Sequence, residues 1–117
     1  MAASPIHGDG VFAARAIGAG ELVECCPTIV CPPHQEKLLE KTALRGLYFA
    51  WEGDAIAVAL GFGSFYNHAW QPNARDELDY GPQVVRFFAV RPIAEGEEIT
   101  INYTGEPDGR GDLWFDA

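Results

Sequence analysis

Only one stretch of this chain can make a helix of any length, and that limits the fold more than any other feature. His34 to Tyr48 places Leu38, Leu39, Leu44 and Leu47 at near-helical spacing, while Glu36, Lys37, Glu40 and Lys41 can face water. Elsewhere, 13 glycines and 8 prolines cut the apolar segments to strand length. Val11-Phe12-Ala13 follows a glycine-rich turn, His7-Gly8-Asp9-Gly10. Leu22 to Val30 reads as a strand broken at Pro27 and ended by Pro32-Pro33. Phe49 to Trp51 and Ile56 to Leu60 flank a hairpin turn, Glu52-Gly53-Asp54. Gly61 to Phe65 is a flexible, close-approach segment. Val84 to Val90 is a strand closed by Pro92, and Ile99 to Tyr103 follows the turn Ile93 to Glu98. Beyond Tyr103 the chain is irregular apart from the apolar pair Trp114 and Phe115. The expectation is a mainly β fold of short strands with one short helix. Phe12 to Val23 and Phe88 to Ile99 share an order of strand, turn, acidic residue and apolar residue, which reads as recurring hairpin chemistry.

A length of 117 residues fits one domain, residues 1–117. The longest mainly apolar run, Ala55 to Phe65, is too short to span a bilayer, so no membrane partner is expected. Met1 to Pro5 lacks a basic segment followed by an apolar one, so an intracellular location is expected, either cytoplasmic or chromatin-associated. The net charge of −9 argues against direct contact with nucleic-acid phosphates. It favours a Lys- and Arg-rich partner, or it serves solubility alone. Cys25, Cys26 and Cys31 form no CxxC pair, and His34 lacks finger-like spacing to them. The expectation is buried, reduced thiols and no metal site.

Three motifs carry chemistry. Tyr66-Asn67-His68-Ala69-Trp70-Gln71-Pro72-Asn73-Ala74 is polar and rich in turn formers, and its Asn and His offer donors and acceptors on short arms. Gly96-Glu97-Glu98-Ile99-Thr100-Ile101-Asn102-Tyr103 is an acidic turn running into a strand that ends on a phenol. Gly8-Asp9-Gly10-Val11-Phe12-Ala13 is a glycine turn, weak by itself.

Taken in this order, the three motifs resemble the SET-domain family of protein lysine methyltransferases, over nearly the whole chain from Ser4 to Trp114. The length and the lack of cysteine-rich flanks look most like the compact viral and bacterial members. The resemblance implies a SET-domain, or β-clip, fold: small curved sheets, one short helix and a threaded C-terminal segment. It implies S-adenosyl-L-methionine as cofactor, bound by Gly8, Asp9, Gly10, Asn67, His68, Tyr103 and Trp114. It places Tyr103 where the methyl is transferred and makes Tyr48 a second catalytic channel candidate, with a core aromatic as its other reading. Tyr66 and Tyr80 are further candidates, whereas Trp51 and Trp70 read as packing residues and His7 as a turn residue. The substrate implied is a Lys-rich protein such as a histone-like tail. Three departures stand out: only Met1 to Ile6 precede the glycine turn, Ala69-Trp70 stands for the usual Ser-Cys, and Asn102 stands for the usual Asp. With no cysteine cluster after the domain, either Thr104 to Ala117 or a second subunit of a homodimer must close the channel.

Methyl transfer to an amine is an in-line displacement governed by positioning. The amine must be neutral, yet a free lysine has a pKa of about 10.4. An apolar, aromatic channel disfavours the ammonium form, and tyrosine hydroxyls can hold the amine without carrying charge. No general-base carboxylate is required, so Glu97 and Glu98 read as a solvated turn. The rival readings are a non-catalytic SET-like module that binds basic peptides, and a hydrolase, for which no Gly-x-Ser-x-Gly elbow occurs.

Overall fold

The fold is described from a computed structural model covering residues 1–6 and 8–103. These residues form nine strands in two sheets. The first sheet runs in the order β1 (Ala2–Ala3), β2 (Asp9–Phe12), β9 (Glu98–Ile101), β6 (Asn67–His68). The second runs β4 (Phe49–Ala50), β5 (Ile56–Ala59), β3 (Leu22–Cys31), β8 (Val84–Ala89), β7 (Ala74–Asp79). Every pairing is antiparallel except β6 with β9, which is parallel. The mainly β expectation holds, and the edge strand β1 has two residues.

The expected helix is far shorter than His34 to Tyr48. A 3₁₀ turn, Pro33–Gln35, leads into α1, Glu36–Leu39, and the rest is turns. Neither helical piece buries a residue, and Leu38 is 61% exposed, so no tertiary packing extends the helix. Thr42 stops it locally: its hydroxyl donates to Leu39 O and accepts from Leu44 N, competing with the helical ladder.

Pro27 does not break its strand. β3 pairs with β8 up to Pro27 and with β5 from Thr28 onward. Thr28 N bonds toward Gln83 O, so the adjacent Pro27 nitrogen faces the other side, beyond the end of β5. No ladder bond is lost there. Strand β7 has no counterpart among the sequence expectations. Arg75, Asp76, Glu77 and Asp79 make it look like a polar loop, but it is an edge strand, where charges are common. Its alternate residues Ala74, Asp76 and Leu78 lie opposite the buried Ala89, Phe87 and Val85.

The two similar segments do not form separate hairpins; they pair with each other. Ile17 and Ile93 exchange both backbone hydrogen bonds, at 2.8 and 2.9 Å. Gly20 N bonds to Ala89 O, and Gly96 N bonds to Ala13 O. Gly20 and Gly96 hold the same left-handed conformation, φ 81° and 84°, which glycine adopts without strain. Glu21 accepts from Gly18 N and Arg15, as Glu97 accepts from Ala94 N and Arg91. The segments thus form a local two-fold pair that clips the first sheet to the second.

Between the sheets lies a core that includes Phe87, Ile93, Val85, Cys26, Tyr66, Ala57 and Ile101. The cysteines differ from expectation. Cys26 is buried, but Cys25 is exposed and Cys31 half-buried, because alternate β3 residues face opposite sides.

Candidate active site

The three motifs converge because each supplies one strand of the same sheet. β9 is the central member: β2 lies on one side, with Val11 opposite Ile99, and β6 on the other, with Asn67 opposite Thr100. Residues nearly sixty positions apart in sequence therefore become neighbours. Asn67 donates from Nδ2 to Glu98 Oε2 at 2.9 Å and to Asp9 O at 3.3 Å. The Glu98 carboxylate also accepts from Ser4 Oγ, at 2.7 and 2.9 Å. A Cβ on Gly10 would lie 2.4 Å from Glu98 Oε2 and 3.1 Å from Asn67 Nδ2, so a larger residue there would displace the carboxylate from this arrangement. Gly8 and Asp9 are exposed beside it.

Glu98 corrects the expectation of a solvated turn, because it is the half-buried acceptor at the centre of this cradle. Glu97 keeps its place at the turn. Its carboxylate caps Ala94 N and receives Asn73 and Arg91, and those bonds, led by Ala94 N–H, hold its pKa below the ordinary value.

His68 is buried, and its Nδ1 accepts from Tyr103 N at 3.0 Å. It therefore pins the residue that ends the third motif. Trp70 packs edge-on against the His68 ring at 4.4 Å, consistent with a packing residue. Asn73, in the same motif, is buried and tied on three sides. Its Nδ2 donates to Glu97 Oε2 and Glu98 O, and its Oδ1 accepts from Thr100 N. Asn102 is also buried and donates to Trp70 O at 3.4 Å.

On the second-sheet side of Tyr103 lies a cavity of about 300 Å³ whose walls include Tyr48, Phe49, Tyr66, Asp76, Leu78 and Tyr103. The two channel candidates chosen from sequence, Tyr48 and Tyr103, thus share one cavity. Tyr103 OH donates to Tyr66 O at 2.7 Å, and burial, reinforced by Glu98, pushes its pKa up to about 12. Tyr66 OH donates to Glu24 Oε1 at 2.6 Å, and its pKa is raised by burial first and by Glu24 second. Tyr48 OH is held by Glu40 and Glu36. Tyr80 does not line this cavity and packs on the buried Trp51 instead. Asp76 carries no signal in the motifs; only the alternation along β7, once that strand is recognised, turns it inward. Burial raises its pKa, opposed by its own backbone N–H and by Arg75.

Of the expected cofactor residues, Gly10, Asn67, His68 and Tyr103 are brought together, with Gly8 and Asp9 adjoining. Trp114 lies outside the described residues. Among the described residues no group of three His, Cys, Asp or Glu is placed to hold a metal, and no helix is long and apolar enough to cross a membrane.

Comparison with known proteins gives the same direction. Residues 8–104 match the SET-domain family model. A Schizosaccharomyces pombe histone-lysine N-methyltransferase specific for H3 lysine-37 is 31% identical over 111 residues, covering 93% of this chain and 71% of the relative. Human histone-lysine N-methyltransferase 2B is 31% identical over 109 residues, 86% of this chain but 4% of that protein. Among solved structures, a Plasmodium falciparum protein described as a candidate histone methyltransferase superposes with TM-score 0.67 at 30% identity, covering 86% of this chain and 91% of that one. A humanised mutant of the Chaetomium thermophilum Polycomb Repressive Complex 2 gives TM-score 0.73 at 27% identity, covering 87% of this chain and 14% of that one. These relatives are eukaryotic and give the expected viral or bacterial subtype no support.

Proposed function

This chain belongs to the SET-domain family of protein-lysine N-methyltransferases, and on that premise we propose that it transfers a methyl group from S-adenosyl-L-methionine to a lysine of a basic protein. The observation that supports this reading most is the adjacency, across β9, of a polar cradle and a tyrosine-lined cavity of side-chain size. The cradle fits such a donor. Gly10 sits where a Cβ would intrude, Asn67 offers a side-chain amide, and the Glu98 carboxylate suits an ammonium group. When bound, the donor would supply an electrophilic methyl group.

The chain's own residues then have separable tasks. Asn67, Glu98 and the Gly8–Gly10 backbone bind and orient. His68 holds Tyr103 through its backbone, and Asn73 holds the strand that carries Tyr103. Tyr103 has its hydroxyl proton committed to Tyr66 O, so its lone pairs are what it can present to an amine. The apolar walls, Phe49 and Leu78 among them, exclude water and disfavour a lysine cation. The substrate class follows from the net charge of −9, which attracts a Lys-rich tail, and from relatives named for histone lysines. A nuclear or chromatin-associated setting accords with that substrate.

The deciding experiment is a labelled-methyl transfer assay against histones and other basic proteins, with thermal unfolding run in parallel. Label in a basic protein, together with a higher melting temperature in S-adenosylmethionine, is the expected result. Stabilisation without transfer to any protein would favour a non-catalytic module, and absence of both would remove the reading.

A further inference from the structure

We propose that Asp76 receives the amine of the incoming lysine in the tyrosine-lined cavity and takes its proton. The proposal rests on the reading of this site as a lysine methyltransferase centre and adds a residue to it. Position is the first support. Asp76 lies on the inward side of β7, between Ala74 and Leu78 and opposite the fully buried Phe87. An acid at such a place is costly, and an aliphatic residue would serve the sheet better. The cavity is the second support, because Asp76 lines it together with Tyr48, Tyr66 and Tyr103.

The surrounding charges leave the role open to Asp76. Among the described residues none of the ion pairs includes it. Arg75, next in sequence, lies over the Phe88 ring, 4.7 Å from its centroid, on the outer side. The facing strand β8 presents Val85 and Phe87, and β9 presents Ile101, all uncharged. The titratable groups facing the cavity are the three tyrosines. Behind them, Glu24 receives Tyr66, while Glu36 and Glu40 receive Tyr48. Asp76 is therefore the one described carboxyl lining the cavity, and burial raises its proton affinity.

The step balances. An N–H bond of the lysine ammonium breaks, its electron pair stays on nitrogen as the nucleophile, and the proton forms an O–H bond on Asp76. Once the substrate fills the cavity, burial disfavours the ammonium–carboxylate pair relative to a neutral amine beside a neutral acid, because both members of the pair carry charge. After the product leaves, Asp76 loses the proton to solvent.

The test uses Asp76→Asn and Asp76→Leu in the full chain. Removing a half-buried charge should leave thermal stability at or above wild type, and Leu matches the inward pattern of β7. Without any methyl donor, calorimetry compares a basic peptide carrying lysine with the same peptide carrying norleucine. The lysine-to-norleucine affinity ratio should fall by about tenfold in both variants; an unchanged ratio overturns the proposal. With donor, kcat/KM of Asp76→Asn should lie about tenfold below wild type near pH 7 and approach it near pH 10, where solvent deprotonates lysine unaided. A deficit constant across that range overturns the proton-accepting role, and failure of both variants to fold assigns Asp76 to the scaffold. Should wild type transfer no methyl while the affinity ratio still shifts, methyl transfer fails and the amine-receiving role stands.

Discussion

Replacing Tyr103 by Phe separates the chemistry of the hydroxyl from the packing of the ring. The backbone N–H of Tyr103 still donates to His68 Nδ1, and the ring keeps its place 5.2 Å from the imidazole. What is lost is the 2.7 Å bond to Tyr66 O and the oxygen that lines the cavity. Tyr66 is 2% exposed, so its carbonyl is left without that donor in a dry place. The stability cost should be about 1–2 kcal/mol, or a fall in Tm of roughly 5–10 °C for a chain of this size. Turnover should fall far more, by about 10², the scale of a positioned transition-state contact. The loss should appear in kcat with saturating peptide, while KM moves little, because the contact matters most when the methyl is between donor and amine. Steady-state labelled-methyl transfer well below the melting temperature, with unfolding followed by circular dichroism, measures both quantities. A variant that loses the expected stability but keeps kcat within about twofold of wild type would show that the hydroxyl is a strut and not part of the reaction.

Asn73→Ala should lower the unfolding free energy by about 3 kcal/mol, since three hydrogen bonds to the β9 segment go with it; a denaturant titration with an unchanged midpoint would contradict this. Alkaline pH should destabilise the fold. Tyr103 and Tyr66 have folded pKa values above the ordinary value of about 10, so the unfolded chain sheds their protons first, and the stability they confer is whole below pH 10 and drains as pH rises toward about 12. A melting temperature that stays flat across that window would refute it. Thiol alkylation of the native protein should label Cys25 readily and spare Cys26, whose pKa burial and Glu24 push up to about 12; mass spectrometry showing equal labelling would count against the packing of β3.

The fold class was legible in the sequence, and so were the motifs that mark the candidate site. Asn67, His68 and Tyr103 stand in short motifs whose residue types survive as a pattern, so family resemblance reached them without any knowledge of pairing. The long helix was misjudged because leucine spacing signals a helix only where a core receives that face, and Leu38 meets solvent. Strand β7 escaped because its pairing with β8, not its own composition, makes it a strand. Asp76 was hidden for the same reason. Glu98 was misread because an acidic pair after a glycine looks like a surface turn, and only the approach of Ser4 and Asn67 shows what its carboxylate holds.

The two-fold pairing of 12–23 with 88–99 bears on how the chain reaches this fold. Ile17 and Ile93 are 76 positions apart, and their two bonds cannot form until nearly the whole intervening chain has been looped. Closing such a loop costs entropy before any contact compensates, which predicts slow folding for so small a protein. A nascent chain lacking residues 88–99 leaves Ala13 and Ile17 without their backbone partners. Assembly of the cradle is thereby tied to the last third of the sequence. Binding competence and global folding should arrive together, in one cooperative event.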